Sequence, residues 1–399
     1  MTVIPFTGPT GADVLARKLP GAINDAPRLL QRPPPEDVAT PSAVVYCEAN
    51  FGHIDGKTAN GLVRHSERYK IVAVIDSATA GLDAGTVLDG IPNGIPIFRD
   101  LSAALGSLQA APDTFIYGKA PATGMLSTDE RAIVLTAIQS GMNIVNGLHE
   151  FLGDDPEFLS AAAVANIRIS DVRKPRPKND LRLFTGRIND VTCPRIAVLG
   201  TDCAIGKRTT ASILTRALNQ RGVNAVMVST GQTGLIQGGR YGVALDAVPS
   251  QFCCGELEAA IIEASEGESP DVIIIEGQGA LSHPAFCTSA FILRGSVPDS
   301  VILQHAPGRV HRCDFEAMAM PSPQSEINLI QSFTDTKVIG LTINHENMTD
   351  DAVSNTITEY ESRLGIPVTD ALSRPTETLV QMVLSAHPQL AQKLTVSMQ

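Results

Sequence analysis

The sequence predicts an α/β protein of two doubly wound units, and three stretches carry that prediction. From residue 43 to about 172, short apolar runs alternate with amphipathic segments, the pattern of βαβ units on a mostly parallel sheet. Residues 195–210 read as a buried strand, a glycine-bounded loop and the start of a helix, with Lys207 directly after the second glycine. Residues 271–279 place four apolar residues before Glu276 and a glycine turn, the pattern of a central strand that ends in a carboxylate. Together they specify a Rossmann-like N-terminal domain followed by a P-loop NTPase-like C-terminal domain.

Bulk properties narrow the function classes. A chain of 399 residues is long enough for two domains with sizeable cores. Its net charge of −11 argues against nucleic acid, which needs a basic footprint, and the lack of Trp with 4% aromatic content leaves little for base stacking. No apolar run approaches the roughly 18 residues of a membrane span, and the N-terminus has no basic-then-apolar leader pattern. Seven cysteines without regular spacing fit reduced thiols, a cytoplasmic location and no metal centre; the adjacent Cys253 and Cys254 read as small buried hydrophobes. A small-molecule substrate and a homo-oligomer are expected.

Residues 1–42 are rich in Pro and Gly and read as an arm with at most one short helix, over 11–19. In the first domain, residues 43–172, strands are expected at 43–47, 69–75, 113–117, 143–145 and 167–169, with helices at 57–66, 128–140 and 157–165. Asp76 follows the second strand, where a dinucleotide fold holds a ribose. The first turn, Glu48 to Gly56, lacks the G-x-G-x-x-G pattern, so a structural Rossmann-like domain is the better reading than a nicotinamide site. His149 and Glu150 follow a strand and fall on the carboxyl edge of the sheet, where ligands of open α/β sheets bind. Residues 173–184, charged and punctuated by proline, read as a solvated linker.

The second domain, residues 185–399, opens on the phosphate loop. Five residues separate Gly200 from Gly206 where the standard loop has four, and Arg208 occupies the place of the usual Ser or Thr. The expected phosphate-binding set is Gly200, Thr201, Asp202, Gly206, Lys207, Arg208, Thr209 and Thr210. Further strands are expected at 225–229, 301–304, 337–343 and 365–370, and helices at 256–265, 350–363 and 377–384. Thr230 to Gly234 is a Gly/Thr-rich turn on the ligand edge, and Arg240 stands in a second glycine-rich stretch, suited to a two-pronged carboxylate contact. Glu276 ends a buried strand, so desolvation should raise its pKa; His283, past a glycine turn, is a candidate proton carrier beside it.

These motifs resemble known proteins. The Gly-Thr-Asp opening and the spacing of the loop are similar to those of dethiobiotin synthetase-like enzymes. Gly147-Leu-His-Glu-Phe-Leu152, the loop from Gly200 to Thr210, Thr230-Gly-Gln-Thr-Gly234, and Glu276-Gly-Gln-Gly-Ala280 with His283-Pro284 resemble the D-glutamate N-acetyltransferases, a family long filed as a domain of unknown function. The likeness covers nearly everything after residue 43. It implies acetyl-coenzyme A as donor, a D-amino acid as acceptor and a place in D-amino-acid catabolism. Under that activity the loop would hold the coenzyme A pyrophosphate with no obligatory Mg²⁺, and Arg208 would lean toward the ribose phosphate. Glu276 or His283 would be the base, with Asp246 the next carboxylate to consider. The turns at 231–234 and 277–279 would offer N–H donors to the thioester oxygen, and Gln232, Thr233, Arg240 and Arg309 would bind a dicarboxylic acceptor. Two alternatives stand beside this: an ATP- and Mg-dependent ligase or kinase of the dethiobiotin synthetase kind, and a nucleotide-binding protein without turnover.

Overall fold

Runs such as residues 43–46 and 272–275 are apolar on both faces, so each must be covered on both sides, the condition met by parallel sheets wrapped in helices. The structure, a computed structural model, describes residues 40–121 and 123–396. The expected helix at 11–19, and nearly all of the arm, lie outside the described residues. The first sheet contains β1 (Ser42–Tyr46), β2 (Lys70–Ile75), β3 (Ile97–Phe98), β4 (Thr114–Tyr117), β5 (Asn143–Asn146) and β6 (Ile169–Asp171). Its order is β3-β2-β1-β4-β5-β6 and every pairing is parallel, the winding of a dinucleotide-binding fold.

The second sheet contains β7 (Arg195–Gly200), β8 (Ala225–Ser229), β9 (Tyr241–Gly242), β10 (Val272–Glu276) and β11 (Ser300–His305). A small antiparallel hairpin of β12 (His311–Arg312) and β13 (Phe315–Ala319) interrupts it before β14 (Lys337–Ile343) and β15 (Val368–Thr369) complete the edge. The order is β15-β14-β11-β7-β10-β8-β9, all parallel. All six residues of β7 are buried, which puts the loop that follows it at the middle of the carboxyl edge. Among the described residues no helix is long and apolar enough to cross a membrane.

Several elements are absent from the sequence reading, among them the helices Thr288–Ser296 and Pro323–Phe333. They also include β3, the hairpin, and the helices Ala84–Asp89 and Leu101–Ser107, each N-capped by an aspartate side chain. The linker also differs from expectation. Arg173 is buried, and Arg182 pairs with Glu256 (2.9 Å) and Glu263 (2.6 Å), so this segment is pinned to both domains rather than solvated.

The domains meet along a packed seam. Helix Lys57–Arg64 of the first lies against helix Gln232–Gln237 of the second, and Leu235, Ile236 and Ala244 join the first domain's apolar core. Polar groups lock the seam. The hydroxyls of Thr58 and Thr233 are 2.9 Å apart, and Gln237 Nε2 donates to the Gly61 and His65 carbonyls (2.6 Å each).

Candidate active site

The phosphate loop bends back at Ala204 (φ 50°) and at Gly206 (φ 100°), a left-handed angle that favours glycine, before helix Lys207–Asn219 begins. Lys207 is buried, and its ammonium donates to the Asp202 carbonyl of its own loop. Burial lowers its pKa, with Arg309 and Lys57 adding to the effect against Cys203 and Asp202. Lys57 belongs to the first domain, so the charge of that domain acts on Lys207 as well.

The polar side chains of the loop face the scaffold. Asp202 is fully buried and turned to the back, where Oδ2 accepts from Cys313 N–H (2.7 Å) and Arg309 Nη1 (3.2 Å). A carboxylate in a phosphate loop would repel its ligand; here it is paired and hidden. The Thr201 hydroxyl is 2.8 Å from His305 Nδ1, and the Thr210 hydroxyl donates to Gln304 Oε1 (2.7 Å). Arg208 donates to Gln237 Oε1, so its charge bridges to the domain seam. A Cβ on Gly61 would lie 2.6 Å from Arg208 Nη2, which shows how closely the guanidinium lies against the backbone of the first domain's helix. Thr209 lines a small recess with Gly206, Asn344 and Asp370. Of the expected phosphate-binding side chains, those of Thr201, Asp202, Arg208 and Thr210 are thus engaged by the protein itself.

Glu276 stands at the end of β10, adjacent to β7, as the strand pattern requires. Burial pushes its pKa up to about 7 against the opposing pull of Arg208, the Thr230 and Gly231 N–H groups, and Lys207. Its Oε2 accepts from Thr230 N–H (3.1 Å), and the Thr230 hydroxyl donates to the Glu276 carbonyl (2.9 Å). The expected partnership with His283 is absent. The carboxylate that His283 faces is Asp202, with Nε2 3.8 Å from Oδ1. His283 Nδ1 accepts N–H bonds from Ala285 (3.2 Å) and Phe286 (3.3 Å), which leaves the ring proton on Nε2. That tautomer, with a side chain closed off from solvent, leaves His283 no free lone pair with which to act as a base; its Nε2 and Asp202 Oδ1 face each other without a hydrogen-bond partner among the described residues. Asp202, Cys203 and His283 are close enough together to be tested as a metal site. The same tautomer weighs against it, because a metal on Nε2 would need the lone pair that the proton occupies.

Two arginines expected to bind substrate are engaged elsewhere. Arg240 pairs with Glu268 (2.5 Å) away from the loop. Arg309 binds Glu346, Asp202 and the Cys203 and Ala204 carbonyls (2.9 and 3.0 Å), which makes it the prop of the phosphate loop. Thr233 is bonded to Thr58, and Gln232 packs on Gly147, so both serve the seam. Asp246 lies at the carboxyl edge of the first sheet, where it accepts from Arg173 Nη1 and stands 3.9 Å from His149 Nε2. Asp76 is fully buried; it accepts from Ala49 N–H (2.6 Å) and the Thr79 hydroxyl (2.5 Å), which seals the place a ribose would take. Sequence reasoning missed Lys57, Arg173 and Gln237 because their roles depend on the docking of the domains. Only the Gly147–Leu152 motif signalled that edge.

Comparison with known proteins gives the family. Residues 77–175 match the Rossmann-like N-terminal domain, and residues 182–380 the P-loop domain, of the domain of unknown function DUF1611. The chain belongs to the DUF1611 family. A crystal structure of a DUF1611 family protein from Anabaena variabilis superposes with a TM-score of 0.79 at 31% identity, covering 86% of this chain and 99% of that one. Two relatives are named D-glutamate N-acetyltransferase. The one from Pseudoalteromonas sp is 32% identical over 273 residues, 67% of this chain and 80% of the relative. The one from Tritonibacter scottomollicae is 28% identical over 267 residues, 65% of this chain and 78% of the relative. The α/β architecture of a Rossmann-like domain joined to a P-loop domain is thus shared across the family.

Proposed function

We propose that this DUF1611 protein is an N-acetyltransferase that moves the acetyl group of acetyl-coenzyme A to the amino group of D-glutamate or a similar D-amino acid, in D-amino-acid catabolism in the cytoplasm. The names of the two relatives support the activity. The observation that carries the reading is a phosphate loop with Lys207 at the start of its helix, tied to the seam between the domains through Arg208 and Gln237. The donor set fits a pyrophosphate: backbone N–H groups at a helix start, and a lysine whose ammonium is satisfied only by its own loop and can turn to a phosphate. When bound, acetyl-coenzyme A supplies an activated acyl group on a long arm. The chain's part is to hold the phosphates, seat the amine nearby, exclude water and take a proton from the ammonium.

One observation favours a second reading. Glu276 ends the strand next to the loop strand, the position from which P-loop enzymes hold Mg²⁺ or a water, as an ATP-dependent ligase would require. A single assay separates the two. The purified protein is given acetyl-coenzyme A with D-glutamate, then with L-glutamate, while free thiol is followed and the product is identified by mass spectrometry. D-glutamate-dependent thiol release with N-acetylglutamate as product is the expected result. Phosphate release from ATP with no thiol release would replace it with the ligase.

A further inference from the structure

His149 and Asp246 come from different domains and meet across the seam. His149 follows β5 at the carboxyl edge of the first sheet; Asp246 follows β9. The His149 side chain is 48% exposed and Asp246 29%, whereas Arg173, beside them, is 8% exposed. Arg173 is fixed from both sides, with Nε donating to the Gly147 carbonyl (2.6 Å) and Nη1 to Asp246. Its Nη2 donates to no partner among the described residues. His149 Nε2 lies 3.9 Å from Asp246 Oδ2, too far for a direct hydrogen bond. An ammonium nitrogen at the ordinary distance of about 2.8 Å from each atom spans that gap at close to a right angle.

The notch thus offers what an α-amino acid presents: a carboxylate and an imidazole for the ammonium, and a guanidinium for the carboxylate. Arg173 also lines a pocket with Lys174, Arg176 and Arg182, where Asp171 and Glu256 are the only acidic lining residues. Asp171 is occupied by Asn146 Nδ2 and by the Leu152 and Gly153 N–H groups. The other cations of this pocket are paired, Arg176 and Arg182 with Glu256 and Glu263 and Lys174 with Asp154, so the guanidinium of Arg173 is the group left to meet the carboxylate.

We propose that the acceptor amino acid binds in this notch, its ammonium between His149 Nε2 and Asp246 and its α-carboxylate on Arg173, and that His149 is the base of acetyl transfer. This rests on the N-acetyltransferase reading. The position also solves a problem of reach. If the pyrophosphate lies at Lys207, the thioester lies at the far end of a long arm, whereas Glu276 borders the loop itself. Thr230 links the two places: its N–H binds Glu276 and its carbonyl accepts from Leu245 N–H (3.0 Å), next to Asp246. His149, across from Asp246, is thus one loop beyond Glu276.

The step balances without any further reagent. His149 takes one proton from the ammonium, and the nitrogen lone pair forms a bond to the acetyl carbon as the carbon–sulfur bond breaks. The second proton lost from nitrogen goes to the leaving sulfur, and His149 returns its own to water. Burial and the Arg173 charge both lower the His149 pKa, so the ring is neutral near pH 7 and has a lone pair to use. Arg173 and Asp246 are the charged groups that face it; Glu150, its neighbour in the chain, is turned to Leu126 N–H (2.7 Å) and Arg131.

The test uses the full-length protein. His149→Ala is expected to lower turnover of D-glutamate about 10²–10⁴-fold at pH 7 and leave coenzyme A affinity by calorimetry unchanged. Its rate should climb with pH as free amine replaces ammonium, a recovery that a merely structural defect would not show. Asp246→Asn should weaken D-glutamate binding about tenfold in the presence of coenzyme A. Parental turnover by His149→Ala across pH, or parental D-glutamate affinity in both variants, overturns the inference while the acetyltransferase reading stands. A parent protein that acetylates no D-glutamate overturns that reading, and the inference with it.

Discussion

The two sheets are wound alike, yet the turns after β1 and β7 have opposite characters. After β1, the Ala49 N–H is given to Asp76, and the Glu48 carboxylate binds Ser77 N–H (2.9 Å), so the turn closes on the next strand. After β7, the loop keeps its side chains behind it and leaves its backbone and Lys207 toward the cleft. One edge is sealed by carboxylates that bind protein, and the other is set for an anion. Architecture alone therefore assigns no ligand; the few residues after each strand do. The first sheet still contributes to the site, but through its β5 edge and helix Lys57–Arg64 and not through the dinucleotide crevice.

The largest effect expected from this contrast belongs to Glu276, the buried carboxylate on the open side. An unfolded chain releases this proton near its ordinary 4.5, and the folded protein near about 7. The folded state therefore binds more protons between those values, and stability falls as pH rises through that window. The full cost, about 3 kcal/mol, is present above about pH 7. Glu276→Gln removes the ionisation, so it should unfold at a higher denaturant concentration than the parent at pH 8 and at nearly the same one at pH 4.5. Equal midpoints at both pH values would show that Glu276 is not desolvated.

Lys207→Ala comes next. Loss of a charge-assisted phosphate contact costs roughly 1.5–3 kcal/mol, a ten- to more than hundredfold loss of coenzyme A affinity by calorimetry. The fold should survive, because the ammonium serves only one carbonyl of its own loop. Unchanged affinity for both acetyl-coenzyme A and ATP would remove the phosphate-loop reading. The sealed edge predicts the reverse pattern for Asp76→Asn: a loss of about 1–2 kcal/mol in stability, from weaker bonds to Ala49 N–H and the Thr79 hydroxyl, with coenzyme A affinity intact. Weakened coenzyme A binding in that variant would mean the two edges are not separate.

What was legible in the sequence follows the same division. Strand ends, the loop, the burial of Glu276 and both sheets were readable because each depends on a local run of apolar residues and glycines. The partners of arginines and histidines were not. Arg309 meets Glu346 and Asp202, Arg240 meets Glu268, and His283 meets Asp202 and not the nearer Glu276. Each of these choices is made by packing between loops and helix ends that are distant in sequence. Arg173 reads as linker from its proline-flanked, charged surroundings, and only the docking of two domains buries it.

The smallest expected effect is that of removing Mg²⁺. In a standard phosphate loop the residue after the lysine is a Ser or Thr whose hydroxyl holds the metal. Here that residue is Arg208, and its guanidinium is bound to Gln237 at the domain seam. The nearest hydroxyls do not compensate: Thr210 donates to Gln304, and Thr209 lies in the recess with Asn344 and Asp370. Glu276, the carboxylate at the end of the neighbouring strand, is raised to about 7, so at neutral pH it is a weaker ligand than an ordinary carboxylate. Under the acetyltransferase reading, neutralising the pyrophosphate would fall to Lys207 and the loop N–H groups. Turnover measured as thiol release should change less than twofold in excess EDTA, across a pH range that spans the titration of Glu276. A complete loss restored by Mg²⁺, and strongest above pH 7 where Glu276 is ionised, would instead assign the carboxylate to a metal and favour the ATP-dependent ligase.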